Sequence, residues 1–223
     1  MDLQNAIQEP SGLWGARGDL DAFYQKQRVK ALLLSDSHYN REVVSHILAA
    51  EGNVDILLFT GDGVGDIIEL CYELPPVVAF VRGNNDSSSY PFAFADTVSL
   101  IKIPRYITLD IAGFKVCMTH GDVFSFFDPV TDSLAFAKEN GVDVILSGHT
   151  HRAACEYKDG VLSLNAGSVA RPRGCPASFC TITFKKGDSR PDYIFYKIES
   201  KERNEPFVYR PFIPKQFTND WLL

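Results

Sequence analysis

Five short polar motifs, each directly after or closing an apolar run, constrain this chain more than any other feature. They are Asp36-Ser37-His38, Gly61-Asp62, Gly83-Asn84-Asn85-Asp86, His120-Gly121-Asp122 and Gly148-His149-Thr150-His151. The runs ALLLSD (31–36), VDILLFT (54–60), VVAFV (77–81), FKVCMTH and VDVILSG read as buried strands. Helical segments separate the first three. Asn40 is placed to cap a helix whose apolar stripe is Val43, Val44, Ile47 and Leu48, and a second helix is expected over 64–74, ended by Pro75 and Pro76. Such alternation predicts a parallel sheet flanked by helices, with ligands bound where the loops leave the carboxyl ends of its strands.

The second half is richer in strands. SLIKI, YITLDI, FKVCMTH, VDVILSG, VLSLNAG, FCTITF and YIFYKI all have strand character, with one helix from Asp128-Pro129 to Gly141. A second sheet packed on the first follows, and 45% hydrophobic content over 223 residues is ample for the shared core. The ends differ. Residues 1–27 hold Pro10, Gly12, Gly15 and Gly18 without periodicity and read as an arm; 28–198 form the domain. The tail, 199–223, spaces Phe207, Tyr209, Phe212, Phe217 and Trp221 among three prolines, and reads as docking on its own domain or on a partner copy in a homo-oligomer.

A net charge of −6 excludes a protein built on broad electrostatic attraction to nucleic acid or anionic lipid. No apolar run reaches membrane-spanning length and no basic leader precedes an apolar core, so a cytoplasmic protein without a membrane partner is expected. The five cysteines form no CxxC pair, which points to reduced thiols rather than a thiolate metal site.

The chemistry is carried by the motifs together. In extended chain the residues of Asp36-x-His38 and of His149-x-His151 project to one side and can reach neighbouring ions. Asp62 suits a bridging position, since a carboxylate can hold two cations, and Asn84 adds a neutral oxygen. Any one motif alone is better read as turn or cap chemistry, and a lone histidine as surface or satisfied core. Four of the five histidines nevertheless fall in these motifs, leaving only His46, which has no assigned role. Turn chemistry does not produce that joint pattern.

At these residues the chain resembles the calcineurin-like metallophosphoesterases, whose pattern is D-x-H, G-D, G-N-[H/C]-[D/E], G-H or H-G, and G-H-x-H. It is most similar to their small single-domain branch, which includes phosphodiesterases and the retromer scaffold subunit. Asn165-Ala166-Gly167-Ser168 with Pro172-Arg173 resembles that branch's N-P-G-S-x-x-x-P-R signature, Ala166 replacing the proline. The resemblance spans about residues 29–198 and implies a four-layer α/β/β/α sandwich of two mixed sheets flanked by helices. It implies two divalent metals, one on Asp36, His38, Asp62 and His151, the other on Asp62, Asn84, His120 and His149. Manganese is the first expectation, with Fe, Zn, Ni, Co or Mg as alternatives.

Two such metals clamp a phosphoryl group, and a bridging hydroxide then attacks phosphorus in line. Asp62, Asn84, Asn85 and Asp86 form the expected catalytic set, and Arg82 and Arg173 the candidate phosphate contacts. Asn85 is the chief departure, because relatives carry His or Cys there and a carboxamide cannot act as an acid. This favours a phosphodiesterase acting on a small diester or nucleotide-like substrate with an acidic leaving group. The alternatives are a non-catalytic scaffold of the same fold and a phosphomonoesterase or protein phosphatase. Asp122 reads equally as a residue orienting His120 or as a turn cap; Phe124, Phe126 and Phe127, like Tyr39 and Tyr90, read as pocket wall or core.

Overall fold

Residues 6–94, 97–124, 129–200 and 206–214 are described by the computed structural model of the chain. Strand β3 (Arg28–Leu34) shows how the sequence makes the layers. Its apolar residues do not alternate with polar ones, because both faces are covered: Ala31 and Leu33 point into one core, Leu32 and Leu34 into another. Beside it run β4 (Ile56–Phe59) and β5 (Val77–Phe80), both parallel and both fully buried. Leu34 pairs with Phe59, and Phe59 with Phe80, so the three strands end level and deliver Asp36, Asp62 and Asn84 to one rim.

Five further strands extend this sheet with antiparallel pairing. β2 (Leu13–Ala16) and β1 (Ala6–Gln8) lie beyond β5, while β13 (Ser178–Lys185), β14 (Asp192–Ile198) and β15 (Tyr209–Phe212) lie beyond β3. The second sheet has β9 (Phe114–Thr119), β10 (Val144–Ser147) and β12 (Val161–Ala166) parallel at its centre. Antiparallel β8 (Tyr106–Ile111) and β11 (Ala153–Lys158) close its edges. A separate hairpin joins β6 (Ser89–Phe94) to β7 (Thr97–Lys102).

The inner faces of the two sheets meet in one core, where Leu33, Leu58 and Val81 join Val116, Leu146 and Leu164. On the outer face of the first sheet lie α2 (Arg41–Ala50) and α3 (Val64–Glu69), burying Val44, Ile47, Val64 and Ile67 against Leu34 and Phe59. On the outer face of the second, α4 (Pro129–Glu139) places Ala137 against Cys117 and Ile145. The result is the expected α/β/β/α sandwich. Asn40 caps α2 as its position suggested, its Oδ1 accepting the Val43 N–H at 3.3 Å.

Two expectations are corrected, and one strand is added. Residues 6–24 of the presumed arm are built into the fold: β1 and β2 extend the large sheet, and α1 (Arg17–Tyr24) buries Leu20 and Phe23 in the inter-sheet core. Their apolar groups are few and their strand partner, β5, lies some sixty residues away, so local periodicity carries little trace of them. The helix expected over 64–74 stops at Glu69, where i+3 bonds from Cys71 to Ile68 and from Glu73 to Leu70 tighten the chain ahead of Pro75. Strand β11, AACEYK, lacks alternation and was not anticipated.

In the tail, Tyr209 meets the rings of Phe179 and Tyr196, and Phe207 lies against His46 at 5.4 Å between centroids. Phe217 and Trp221 lie outside the described residues, as do Phe126 and Phe127. Among the described residues no helix is long and apolar enough to cross a membrane.

Candidate metal centre

Four of the five motifs leave their strands through residues of positive φ. Asp36, His38, Asp62, His149 and His151 all have positive φ, between 43° and 67°. This corrects the expectation that the Asp36/His38 and His149/His151 pairs sit in extended chain. Such left-handed conformations cost about 1–3 kcal/mol each for non-glycine residues and persist only where the surroundings impose them. Cross-loop hydrogen bonds impose them here: Asp36 N–H donates to the Gly61 carbonyl at 2.9 Å, His38 N–H to Asp62 at 3.1 Å and Gly148 N–H to His120 at 2.8 Å. Ser168 Oγ donates to the Asp36 carbonyl at 2.7 Å and accepts from the N–H groups of Ala170 and Arg171.

The loops approach so closely that side chains are excluded at several points, among them Gly61 and Gly148. A Cβ on Gly61 would stand 2.5 Å from Gly83 N, and one on Gly148 would stand 1.9 Å from Ser35 Oγ and 2.6 Å from Asp36 Oδ2.

The loops bring Asp36, His38, Asp62 and His151 together, each with one ligand atom within 4.8 Å of the others. His151 Nε2 lies 3.1 Å from both Asp36 Oδ1 and His38 Nε2. Asp62 Oδ2 lies 3.8 Å from His38 Nε2 and 3.4 Å from His120 Nε2. The His149 ring stands 5.1 Å from that of His120, and Asn84 lies exposed on the loop after β5. His120 Nδ1 is 2.7 Å from the Thr60 carbonyl and His151 Nδ1 is 2.5 Å from that of Arg171. Each Nδ1–H donates outward, which leaves Nε2 of the neutral ring to face the centre as a ligand.

Whether these residues fit a metal is answered by the atoms left over. Among the described residues, Asp36 Oδ1 and His120 Nε2 are buried without a hydrogen-bond partner. Orphaned polar atoms of this kind are costly in a protein interior unless something completes them, and a divalent cation does so for a carboxylate oxygen and an imidazole nitrogen alike.

The charges agree. Burial works to raise the Asp36 carboxyl, but His151 and His38 override it and hold it well below the usual carboxylate range. Burial works against a charge on His120, yet Asp62 and Asp36 push its pKa up to about 9. His149, desolvated and next to His120, is lowered. Because the folded value of His120 exceeds its ordinary 6.5, its contribution is fully present below pH 6.5 and is lost as pH rises through about 9. Chelator-treated wild type should therefore lose melting temperature across that window while His120→Asn does not, as followed by thermal denaturation at a series of pH values.

Asp86 holds the loops rather than facing the cluster. Its Oδ2 accepts the N–H groups of Asp62 and Gly83 at 2.6 and 2.9 Å, and its Oδ1 those of Gly63 and Val64 at 3.0 Å. Asn85 lies against Asp62, its backbone N–H on Oδ1 at 2.8 Å and its Nδ2 on Oδ2 at 2.6 Å. The two arginines are not drawn to the centre. Arg82 lines a separate cavity with Glu9, Lys102 and Arg105, and Arg173 is exposed, its N–H on the His151 carbonyl at 3.1 Å. Asp122 pairs with Arg105, and Phe124 packs edge-on to Phe136 of α4.

Three supporting residues lie outside the expected metal and catalytic set, Asn165 and Ser168 having stood out only through the signature resemblance. Asp66 accepts from Ser37 Oγ and Tyr39 N–H, Ser168 fixes the Asp36 carbonyl, and Asn165 Nδ2 donates to the Gly148 carbonyl at 2.6 Å. An acidic residue in a helix's first turn, or an Asn and a Ser beside a glycine, is ordinary capping and turn chemistry in one dimension.

Carboxylate and imidazole ligands gathered at the carboxyl ends of parallel strands in a four-layer sandwich define a metal-dependent phosphoesterase. Residues 29–187 match the calcineurin-like phosphoesterase superfamily domain, and the chain belongs to that family. It is 34% identical over 151 residues to a probable metallophosphoesterase of Methanocaldococcus jannaschii, covering 65% of this chain and 69% of that protein. In fold it is similar to vacuolar protein sorting 29 of Cryptosporidium parvum, with TM-score 0.62 and 20% identity over 84% of this chain and 99% of the other. Vps29 of Entamoeba histolytica, solved with zinc, matches at TM-score 0.58 and 17% identity, over 82% of this chain and 98% of that one.

Proposed function

We propose that the protein is a dinuclear phosphodiesterase. One observation carries the reading: a single carboxylate oxygen, Asp62 Oδ2, lies within reach of two imidazoles, 3.8 Å from Nε2 of His38 and 3.4 Å from the buried Nε2 of His120. That is the disposition of a shared ligand. Asp36, His38, Asp62 and His151 would hold one ion, and Asp62, Asn84, His120 and His149 the other. Manganese is the proposed native metal, with zinc, iron, cobalt, nickel and magnesium compatible with the same mixed donors. When bound, the ions supply positive charge for the phosphoryl oxygens and acidify water near neutral pH.

The chain's own residues set the rest. Asp36 and Asp62 keep the site anionic, and the outward Nδ1 bonds of His120 and His151 hold their rings in one tautomer. Asn85 steadies Asp62 but cannot give a proton to a leaving alkoxide. The reaction should then favour substrates whose leaving group needs no acid. An aryl phosphodiester is expected to turn over faster than glycerol phosphate by on the order of 10²-fold, the lower range of what a general acid contributes. Elemental analysis of the purified protein with initial rates on both substrates in manganese tests this. A monoester preference would overturn the phosphodiesterase assignment, and a wild type that neither binds metal nor turns over would leave a non-catalytic scaffold of this fold.

A further inference from the structure

The metal cluster opens on one flank into a cavity of about 410 Å³ whose floor is His38, Asp62 and Asn85. Its walls are the rings of Tyr39 and Tyr90 with Ile68 and Pro91. Tyr39 is tied to these loops through its backbone and Tyr90 through its hydroxyl. Tyr39 has φ of 69° and 86% exposure, and its N–H donates to Asp66 Oδ2 at 2.9 Å. A bulky residue held in the left-handed region with its ring in solvent satisfies no packing need, and such strain collects at functional sites. The Tyr90 hydroxyl donates to Asp86 Oδ1 and accepts the Ser87 N–H, each at 3.2 Å. The carboxylates that hold these tyrosines belong to the same network that holds the metal loops. Among the described residues the two rings make no aromatic contact with each other, and both line the cavity.

Charge narrows the occupant. Asp66, Glu69 and Asp86 line the cavity with Asp62, whereas no Lys or Arg does, and the Glu69 carboxylate is paired with Arg41. A second phosphate on the group entering here would meet Asp66 and Asp86 with no Lys or Arg among the lining residues to offset them.

We propose that this cavity receives an uncharged aromatic alcohol arm of the phosphodiester, an aryl or nucleoside group without a further phosphate, with Tyr39 as its stacking wall and Tyr90 opposite. The inference rests on the phosphodiesterase reading above. A ring stacked on an exposed tyrosine is stabilised independently of what the metals do to the phosphoryl group, so selectivity and turnover separate.

The test is calorimetric titration of manganese-loaded protein with diphenyl phosphate and dimethyl phosphate, whose phenoxide and methoxide are poorer leaving groups than that of an activated aryl diester, each diester being shown intact by phosphorus NMR after the titration. Stacking on one aromatic side chain should give wild type about a tenfold preference for diphenyl phosphate. Tyr39→Ala should bring that ratio close to one, Tyr39→Phe should restore it, and Tyr72→Ala, an exposed tyrosine outside the cavity, should leave it at the wild-type value. Equal binding of the two diesters by wild type, or a preference that survives Tyr39→Ala, would overturn the assignment of the cavity. If wild type hydrolyses an aryl phosphodiester yet shows no preference, only this inference fails; if it also fails to hydrolyse, the phosphodiesterase reading falls and takes the inference with it.

Discussion

Asp62→Asn should lower manganese-dependent hydrolysis of an aryl phosphodiester by about three orders of magnitude while the chain stays folded. The size follows from what the substitution removes. Oδ2 of Asp62 lies 3.8 Å from His38 and 3.4 Å from His120, and in the proposed dinuclear site its charge is the one both halves share. Two-metal clamping is worth several kcal/mol of transition-state stabilisation, and each 1.36 kcal/mol is about tenfold in rate. The side-chain volume hardly changes, and the new carbonyl oxygen can keep the Asn85 N–H bond. An amide in place of Oδ2 would set one NH₂ against another at Asn85, the loss of a single polar contact, about 1 kcal/mol. Initial rates with metal content and a thermal melt on the same sample read out the result. Full activity in Asp62→Asn would show that the shared carboxylate is not needed.

The second large effect is on stability. Asp86→Ala removes the acceptor for four backbone N–H groups, those of Asp62, Gly63, Val64 and Gly83. Hydrogen bonds to a charged group are worth about 1.5–3 kcal/mol each, but they are not additive, and water will reach some of the freed donors. A net loss of roughly 3–5 kcal/mol is expected, comparable to breaking other buried charged networks. For a chain of this size that is a fall in melting temperature of roughly 10 °C. Asp86→Asn, which keeps one acceptor oxygen and the shape, should fall between. Because the same bonds fix Asp62, both variants should also lose metal affinity, which separates this role from one as a helix cap alone.

Much of this was legible in one dimension, for a physical reason that differs from element to element. Strands such as β3 and β4 are covered on both faces, so they appear as unbroken apolar runs, and the polar residues that end them stand out as ligand candidates. Asp36, His38, Asp62 and His151 could be picked because their identities and order carry the information and their runs place them on one rim. By contrast β1, β2 and α1 were hidden in apparent irregularity, since Leu13 and Trp14 find their partners on β5. Arg82 follows β5 as closely as Asn84 does, yet its side chain goes to a different cavity, and nothing in its neighbours announces this.

The sequence by itself determined the chemistry available: which carboxylates and imidazoles exist, which strand each one ends, and that a layered α/β fold would gather them. Only the tertiary structure decided how they are held. The positive φ at Asp36, Asp62, His149 and His151 is imposed by bonds between loops from different strands, and local propensity opposes it. Asp86 became an anchor, and Tyr39 and Tyr90 became walls, because of what lies across space from them. Ligand type is a property of single residues, whereas orientation, strain and solvent exclusion belong to groups brought together only when the two sheets close.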